Sequence, residues 1–168
     1  MKKYILTSVV LVVILIGVMF YMNIDKKHYE KLNTFNYDKK CSRINREQVD
    51  EDVVESTSFV FIKLDQLNVK EVVYQTLLNK GDYINNFDML EDILKMYDGI
   101  NGISYKVYET KDNYVTEVKY DYTLLDLDKV RTSLGNLLED TSIFKATKKL
   151  PITYEAFFKA ELSEYECK

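Results

Sequence analysis

Two runs of β-forming residues stand close together in the first half of the chain. Residues 58–64, SFVFIKL, form a compact apolar run, and residues 69–78, VKEVVYQTLL, form a second one. The residues between them, 65–68 (DQLN), favour a turn, because Asp and Asn side chains hydrogen-bond to the nearby backbone. The pattern therefore predicts a first β-hairpin.

The apolar residues take a helical spacing over residues 86–98, NFDMLEDILKMYD. Asn86 is suited to the N-cap, and Gly99 stands where a helix often ends in a left-handed residue. The segment therefore predicts an amphipathic helix. Its apolar stripe consists of Phe87, Leu90, Leu94 and Tyr97.

Strict alternation returns after this helix. Residues 103–109, ISYKVYE, place Ile103, Tyr105 and Val107 on one face, and residues 114–122, YVTEVKYDY, alternate again. Their other face carries polar residues such as Glu117, which we expect to be solvated. Such one-sided strands are typical of an antiparallel sheet with one packed face, and they predict a second hairpin.

Helical spacing resumes near the C-terminus. Asp126 can cap a second helix, and Pro151 and Thr153 begin a third. The predicted fold class is therefore α+β: an antiparallel four-stranded sheet packed by about three helices in the order ββαββαα, with an N-terminal transmembrane helix in addition. The apolar stripes of these two helices are Leu127, Val130, Leu134, Leu137 and Leu138, and Tyr154, Phe157, Phe158, Leu162 and Tyr165.

The predicted transmembrane helix is the almost unbroken apolar run 5–22. A helix of this length reaches about 27 Å, close to the ~30 Å thickness of the hydrocarbon core. Lys2 and Lys3 precede it as a positive n-region, and no alanine stands in the first 145 residues to form a cleavage site, so we expect an uncleaved signal-anchor. Two processed forms are the alternatives: cleavage at a poor site near Gly17, and lipidation, for which the first cysteine, Cys41, stands too far away.

This segment sets the predicted domain organisation. We expect a membrane anchor over 1–23, a polar stalk over 24–40 and an extracytoplasmic domain over 41–168. Lys2 and Lys3 favour a cytoplasmic N-terminus, although two lysines just beyond the run nearly balance them. The expected localisation is the cell membrane, with one span and the C-terminal domain outside.

The chain has two cysteines, Cys41 and Cys167, which bracket the predicted domain. They allow one intramolecular pairing, and closing so long a loop would stabilise the fold by up to about 4–5 kcal/mol. We expect a disulfide that staples the termini, which fits an oxidising compartment. Two reduced thiols are the alternative interpretation.

Composition and charge exclude several function classes. The net charge is −4, which argues against nucleic-acid binding. The one histidine, His28, lies in the predicted stalk and leaves no Ser-His-Asp triad or multi-histidine metal site. We predict no enzyme, no catalytic or metal-binding residue and no cofactor. The acidic residues at the helix starts are interpreted as dipole-stabilising rather than calcium-binding: Asp82, Asp88, Glu91 and Asp92, then Asp121, Asp126 and Asp128.

Fourteen tyrosines without a tryptophan are a second bias in composition. Tyr105, Tyr114, Tyr120 and Tyr122 fall on the two strands of the second predicted hairpin. We expect them to pack under helices. A tyrosine-lined sheet that binds glycans or peptides is the alternative.

Residues 95–134, from KMYDGINGISYKVYE to DLDKVRTSL, resemble the YehR-like family of bacterial lipoproteins, a domain of unknown function. The likeness is a helix ending in tyrosine, a Gly-x-x-Gly turn, an aromatic strand, an acidic strand and a step into a helix. The family's lipobox cysteine is missing here. The resemblance implies a surface-tethered extracytoplasmic domain without known catalysis. It is carried by Tyr97, Gly99, Gly102, Tyr105, Glu117, Asp121, Tyr122 and Asp126.

The predicted function is therefore a membrane-anchored envelope domain that binds or scaffolds an envelope protein partner without catalysis. The membrane itself is a predicted partner, through residues 5–22. A small-ligand-binding domain with a pocket between the sheet and the helices is the alternative.

Overall fold

The structure, a computed structural model, describes residues 29–49, 52–80, 87–135, 143–147 and 149–168. Within these ranges one antiparallel sheet has the strand order β4-β5-β3-β2-β1-β6. Its strands are β1 (Lys39–Val49), β2 (Asp52–Asp65), β3 (Asn68–Asn79), β4 (Ile103–Glu109), β5 (Asn113–Asp121) and β6 (Glu166–Cys167).

Four short α-helices accompany the sheet in the described part of the chain. Two of them begin at the predicted caps: the Asp126 carboxylate accepts from the Lys129 backbone N–H at 3.0 Å, and the Thr153 hydroxyl accepts from Ala156 at 3.3 Å. The helices are α1 (Phe87–Leu94, continued by the 3₁₀ turn Lys95–Tyr97), α2 (Leu127–Leu134), α3 (Ile143–Ala146) and α4 (Tyr154–Glu161).

The prediction of a four-stranded sheet is wrong, because the sheet has six strands. Both predicted hairpins are present, as β2–β3 and β4–β5, but β1 and β6 extend the sheet beyond them. β1, KKCSRINREQV, has no apolar alternation, since its side chains are mostly exposed and its place is set by pairing with β2. β6 has two residues and is too short to show any period.

The predicted transmembrane helix is not part of the observed architecture. Residues 5–22 and the rest of the predicted anchor over 1–23 lie outside the described residues. Of the helices that are described, none has both the length and the apolar character needed to cross a membrane.

One face of the sheet packs against the helices and forms the main hydrophobic core. Val60 and Ile62 of β2 and Val72 of β3 are fully buried there, together with Val130 of α2 and Phe157 of α4. As predicted, alternate residues of β4 pack against the same cluster: Ile103, Tyr105 and Val107. We call this side of the sheet the helix face.

Residues 29–38 cross the opposite side of the sheet, and we call this segment the strap and this side the strap face. The Glu30 backbone N–H donates to the Glu109 carbonyl at 2.9 Å, and Asp38 donates to the Ile62 carbonyl at 2.8 Å. This segment belongs to the predicted stalk over 24–40, yet it lies on the folded domain. The strap is irregular backbone, so its sequence shows neither a helical nor a strand period.

Candidate functional site

The disulfide joins the outer edge of the sheet to the end of the chain. Cys41 of β1 and Cys167 of β6 are direct neighbours in the antiparallel register, and their sulfur atoms are bonded with the Cα atoms 4.0 Å apart. Lys40 and Lys168 exchange two backbone hydrogen bonds beside them, at 3.2 and 2.9 Å. The predicted pairing is confirmed, and it places the bond on the helix face, where Cys41 is fully buried.

Beyond the disulfide, β1 and β2 continue into an extension that we call the arm, residues 43–49 and 52–57, whose outer part, Arg46–Val49 with Asp52–Glu55, is a two-stranded ribbon. β6 pairs with β1 only at Cys41 and Ser42, and β3 pairs with β2 only from Ser56 onward. Across the described ranges, no strand pairs with the outer edge of β1 over Arg43–Arg46. This edge presents backbone donors and acceptors that a further strand could engage.

The arm carries apolar side chains in solvent. Ile44 is 60% exposed and Val53 is 56% exposed. Ion pairs flank them: Arg46 to Glu55 at 2.8 Å, and Arg43 to Glu164 at 2.5 Å. The base of the arm opens onto a groove of about 570 Å³ lined by Ser42, Arg43, Ile44, Thr57, Phe59, Glu164 and Glu166.

A buried polar cluster lies beneath the strap. Glu117 of β5 is 7% exposed, and one carboxylate oxygen, Oε1, accepts from the Tyr108 hydroxyl at 2.6 Å and from the Gln75 amide at 2.8 Å. The other oxygen, Oε2, accepts from the Asn33 side-chain amide at 2.8 Å. The prediction that Glu117 lies on a solvated face is therefore wrong. The three donors compensate for the burial of its carboxylate.

The same cluster also shifts the titration of Tyr108. Burial raises the pKa of Tyr108 to about 12, with a hydrogen bond from the Asn33 backbone N–H opposing the shift and the Glu117 carboxylate adding to it. The Tyr108 hydroxyl is protonated at neutral pH, as a phenol ordinarily is, and it donates to Glu117.

The predicted acidic residues are spread over separate helix and turn positions. Asp126 is an N-cap, and Asp121 accepts from the Thr123 hydroxyl at 2.6 Å, the main cause of its lowered pKa. Asp88 lies in the first turn of α1, whereas Asp82 falls outside the described residues. Nowhere in the described chain do three or more His, Cys, Asp or Glu side chains form a group that could hold a metal ion.

Two of the four highlighted tyrosines lie in the core of the helix face. Tyr120 packs on Phe144 at 5.4 Å between ring centroids, and Tyr122 packs edge-on against Phe157 at 6.1 Å. Burial raises the pKa of both tyrosines. Tyr120 and Tyr122 therefore pack under the helices, as predicted.

No protein-family model, curated protein or solved structure matches this chain. The resemblance to the YehR-like family therefore stays a prediction. The strap and the cluster below it were missed by sequence reasoning. The one available signal was that Gln75 and Glu117 are polar residues inside otherwise β-forming strands; nothing in the sequence indicated that Asn33 covers them.

Proposed function

We propose that this chain is a non-enzymatic extracytoplasmic domain that binds a partner protein at the cell envelope through the arm. The disulfide between Cys41 and Cys167 supports the extracytoplasmic location, since such bonds persist in oxidising compartments. The partner we propose presents a β-strand rather than a helix or a small molecule.

The observation that carries this proposal is the edge of β1 over Arg43–Arg46. β6 shows that this edge accepts an added antiparallel strand, because it pairs there at Cys41 and Ser42. A partner strand placed in line with β6 would extend the sheet along the arm. Main-chain hydrogen bonds would supply affinity and the exposed Ile44 would supply a side-chain contact.

Site-specific photo-crosslinking in intact cells tests this proposal. A photoreactive residue at Val53, on the arm, should give a discrete crosslinked species. The same residue at Leu67 is the matched control, because Leu67 is also an exposed aliphatic side chain (78%) but lies in the β2–β3 turn.

The crosslink should disappear when Ile44→Pro is introduced, since proline removes a backbone donor and is poorly tolerated against a paired strand. A melting temperature close to that of the parent protein must accompany this loss. Equal crosslinking from Val53 and Leu67, or a Val53 crosslink that persists in a folded Ile44→Pro variant, would contradict binding at the arm.

A further inference from the structure

The strap is bound to the sheet like a peptide in a receptor, and Asn33 is its most completely recognised residue. Its backbone N–H donates to the Tyr108 hydroxyl at 3.2 Å, and its backbone carbonyl accepts from the Gln75 amide at 3.4 Å. Its side-chain amide donates to Glu117 at 2.8 Å. All three recognising side chains are more than nine-tenths buried, so their positions are set by the sheet.

A second contact lies two residues further along the strap. The Phe35 ring packs on Phe61 of β2 at 4.9 Å between centroids, and Tyr37 packs on the same ring at 5.3 Å. Tyr108, Gln75, Glu117 and Phe61 therefore form a groove on the strap face, lined by different residues from the groove at the base of the arm. It takes an extended segment that offers an asparagine and, two positions later, an aromatic ring.

The contacts of the strap do not depend on its belonging to the same chain. They are hydrogen bonds, ring contacts and a Glu30–Lys106 ion pair, and the C-terminal end of the strap, Asp38, continues directly into β1. A segment without helix or strand of its own can leave one groove and occupy an identical groove with the same contacts. Exchange of an identical element is a low-cost route to a dimer.

We propose that the groove on the strap face is a peptide-binding site with an exchangeable occupant, and that the strap of a second copy of this chain replaces the chain's own strap. The occupant is a second copy because every copy carries the fitting sequence, Asn33-x-Phe35. In the dimer, Asn33 of each copy binds Tyr108, Gln75 and Glu117 of the other copy. This surface is distinct from the arm.

Complementation between two defective full-length chains tests the proposal. Asn33→Ala damages only the strap, and Glu117→Gln damages only the groove while keeping the shape of the side chain. A mixed dimer restores one intact Asn33–Glu117 contact and gathers both defects in the other groove. The equilibrium population of the mixed dimer should therefore exceed that of each homodimer by roughly tenfold, which is the effect of one hydrogen bond to a charged acceptor.

The measurement uses differently tagged copies, each with the native disulfide. They are mixed at high concentration, opened in mild denaturant and re-equilibrated, and the dimers are counted by pull-down and native mass spectrometry. Thr34→Ala is the matched control, because Thr34 is the neighbour of Asn33 in the strap and its side chain is exposed to solvent. It should show no preference for a mixed dimer with Glu117→Gln.

A mixed population no larger than the homodimers would overturn the proposal. So would dimers that persist unchanged in all combinations but disappear with Val53→Arg, because they would be formed by the arm. A labelled peptide of residues 29–38 that binds the Asn33→Ala chain without any mixed dimer would also overturn it, since the groove would then accept a free peptide and not a second copy.

Discussion

The two faces of the sheet are covered in different ways. On the helix face, apolar side chains such as Val60, Val72 and Phe157 are fully buried, and the disulfide at Cys41 fastens the chain end to the same side. On the strap face, a ten-residue irregular segment lies over a buried carboxylate, Glu117, and is held by directional hydrogen bonds together with the ring contacts of Phe35 and Tyr37 on Phe61.

This contrast indicates which side of the domain resists opening and which side opens locally. Burial of apolar area is non-directional and shared among many contacts, so the helix face should open only when the domain unfolds. Hydrogen bonds to Glu117 are few, and each exchanges with water at modest net free energy. The strap face is therefore the side on which local opening should occur first.

The largest expected effect concerns the disulfide on the helix face. Replacing both cysteines, Cys41→Ser with Cys167→Ser, should lower the free energy of unfolding by about 4–5 kcal/mol in the chain-entropy model, because the bond closes a loop with a sequence separation of 126. Urea denaturation without reductant measures the loss. Reductant should destabilise the parent protein and leave the double variant unchanged; equal stability of parent and variant would mean that the staple constrains little.

A cavity in the helix face should have the next largest effect. Phe157→Ala should cost about 3–5 kcal/mol, because this ring is 0% exposed and packs against Tyr122. Phe158→Ala is the matched control on the same helix, since its ring is 36% exposed. Thermal denaturation of the two variants should separate them clearly, and similar losses would show that α4 does not direct Phe157 into the core.

Loss of the buried carboxylate on the strap face should lower stability less than the cavity at Phe157 does. Glu117→Ala leaves Tyr108, Gln75 and Asn33 without their shared acceptor, which should cost about 1–3 kcal/mol. Hydrogen exchange should rise in the strap before it rises in β2 or β3. Glu55→Ala is the control, because its carboxylate forms a surface ion pair with Arg46, and it should change stability by less than about 1 kcal/mol.

The smallest predicted effect is a loss of stability at alkaline pH that originates from Tyr108 on the strap face. Burial raises the pKa of Tyr108 from its ordinary value of 10.0 to about 12, so the folded state binds its proton more tightly than the unfolded state does. The resulting stability is fully present below pH 10 and is lost as the pH rises from 10 through 12.

Comparison with Tyr108→Phe isolates this contribution. The free energy of unfolding should fall less steeply between pH 10 and 12 in the variant than in the parent. A residual slope should remain in both, because burial also raises the pKa of Tyr74, Tyr120 and Tyr122 on the helix face. Identical slopes for parent and variant would show that Tyr108 is not desolvated beneath the strap.

The elements that could be predicted from the amino-acid sequence are those whose signals are local. Both hairpins, the start of α2 at Asp126 and the start of α4 at Thr153 follow from alternation and capping within a few residues. Gly99 has the positive φ of 71° predicted from its place after α1. The cysteine pairing could also be predicted from the sequence, because two cysteines allow a single intramolecular disulfide.

The outer strands, the strap and the burial of Glu117 depend on contacts between distant parts of the chain and could not be predicted from local patterns. The sequence of β1 reads as polar, and its pairing with β2 supplies the order that its own side chains do not encode. Asn33 contacts partners 75 and 84 residues away, so no local period records these contacts. A polar residue joins a core wherever distant donors compensate for its desolvation, and that compensation exists only once the chain has folded.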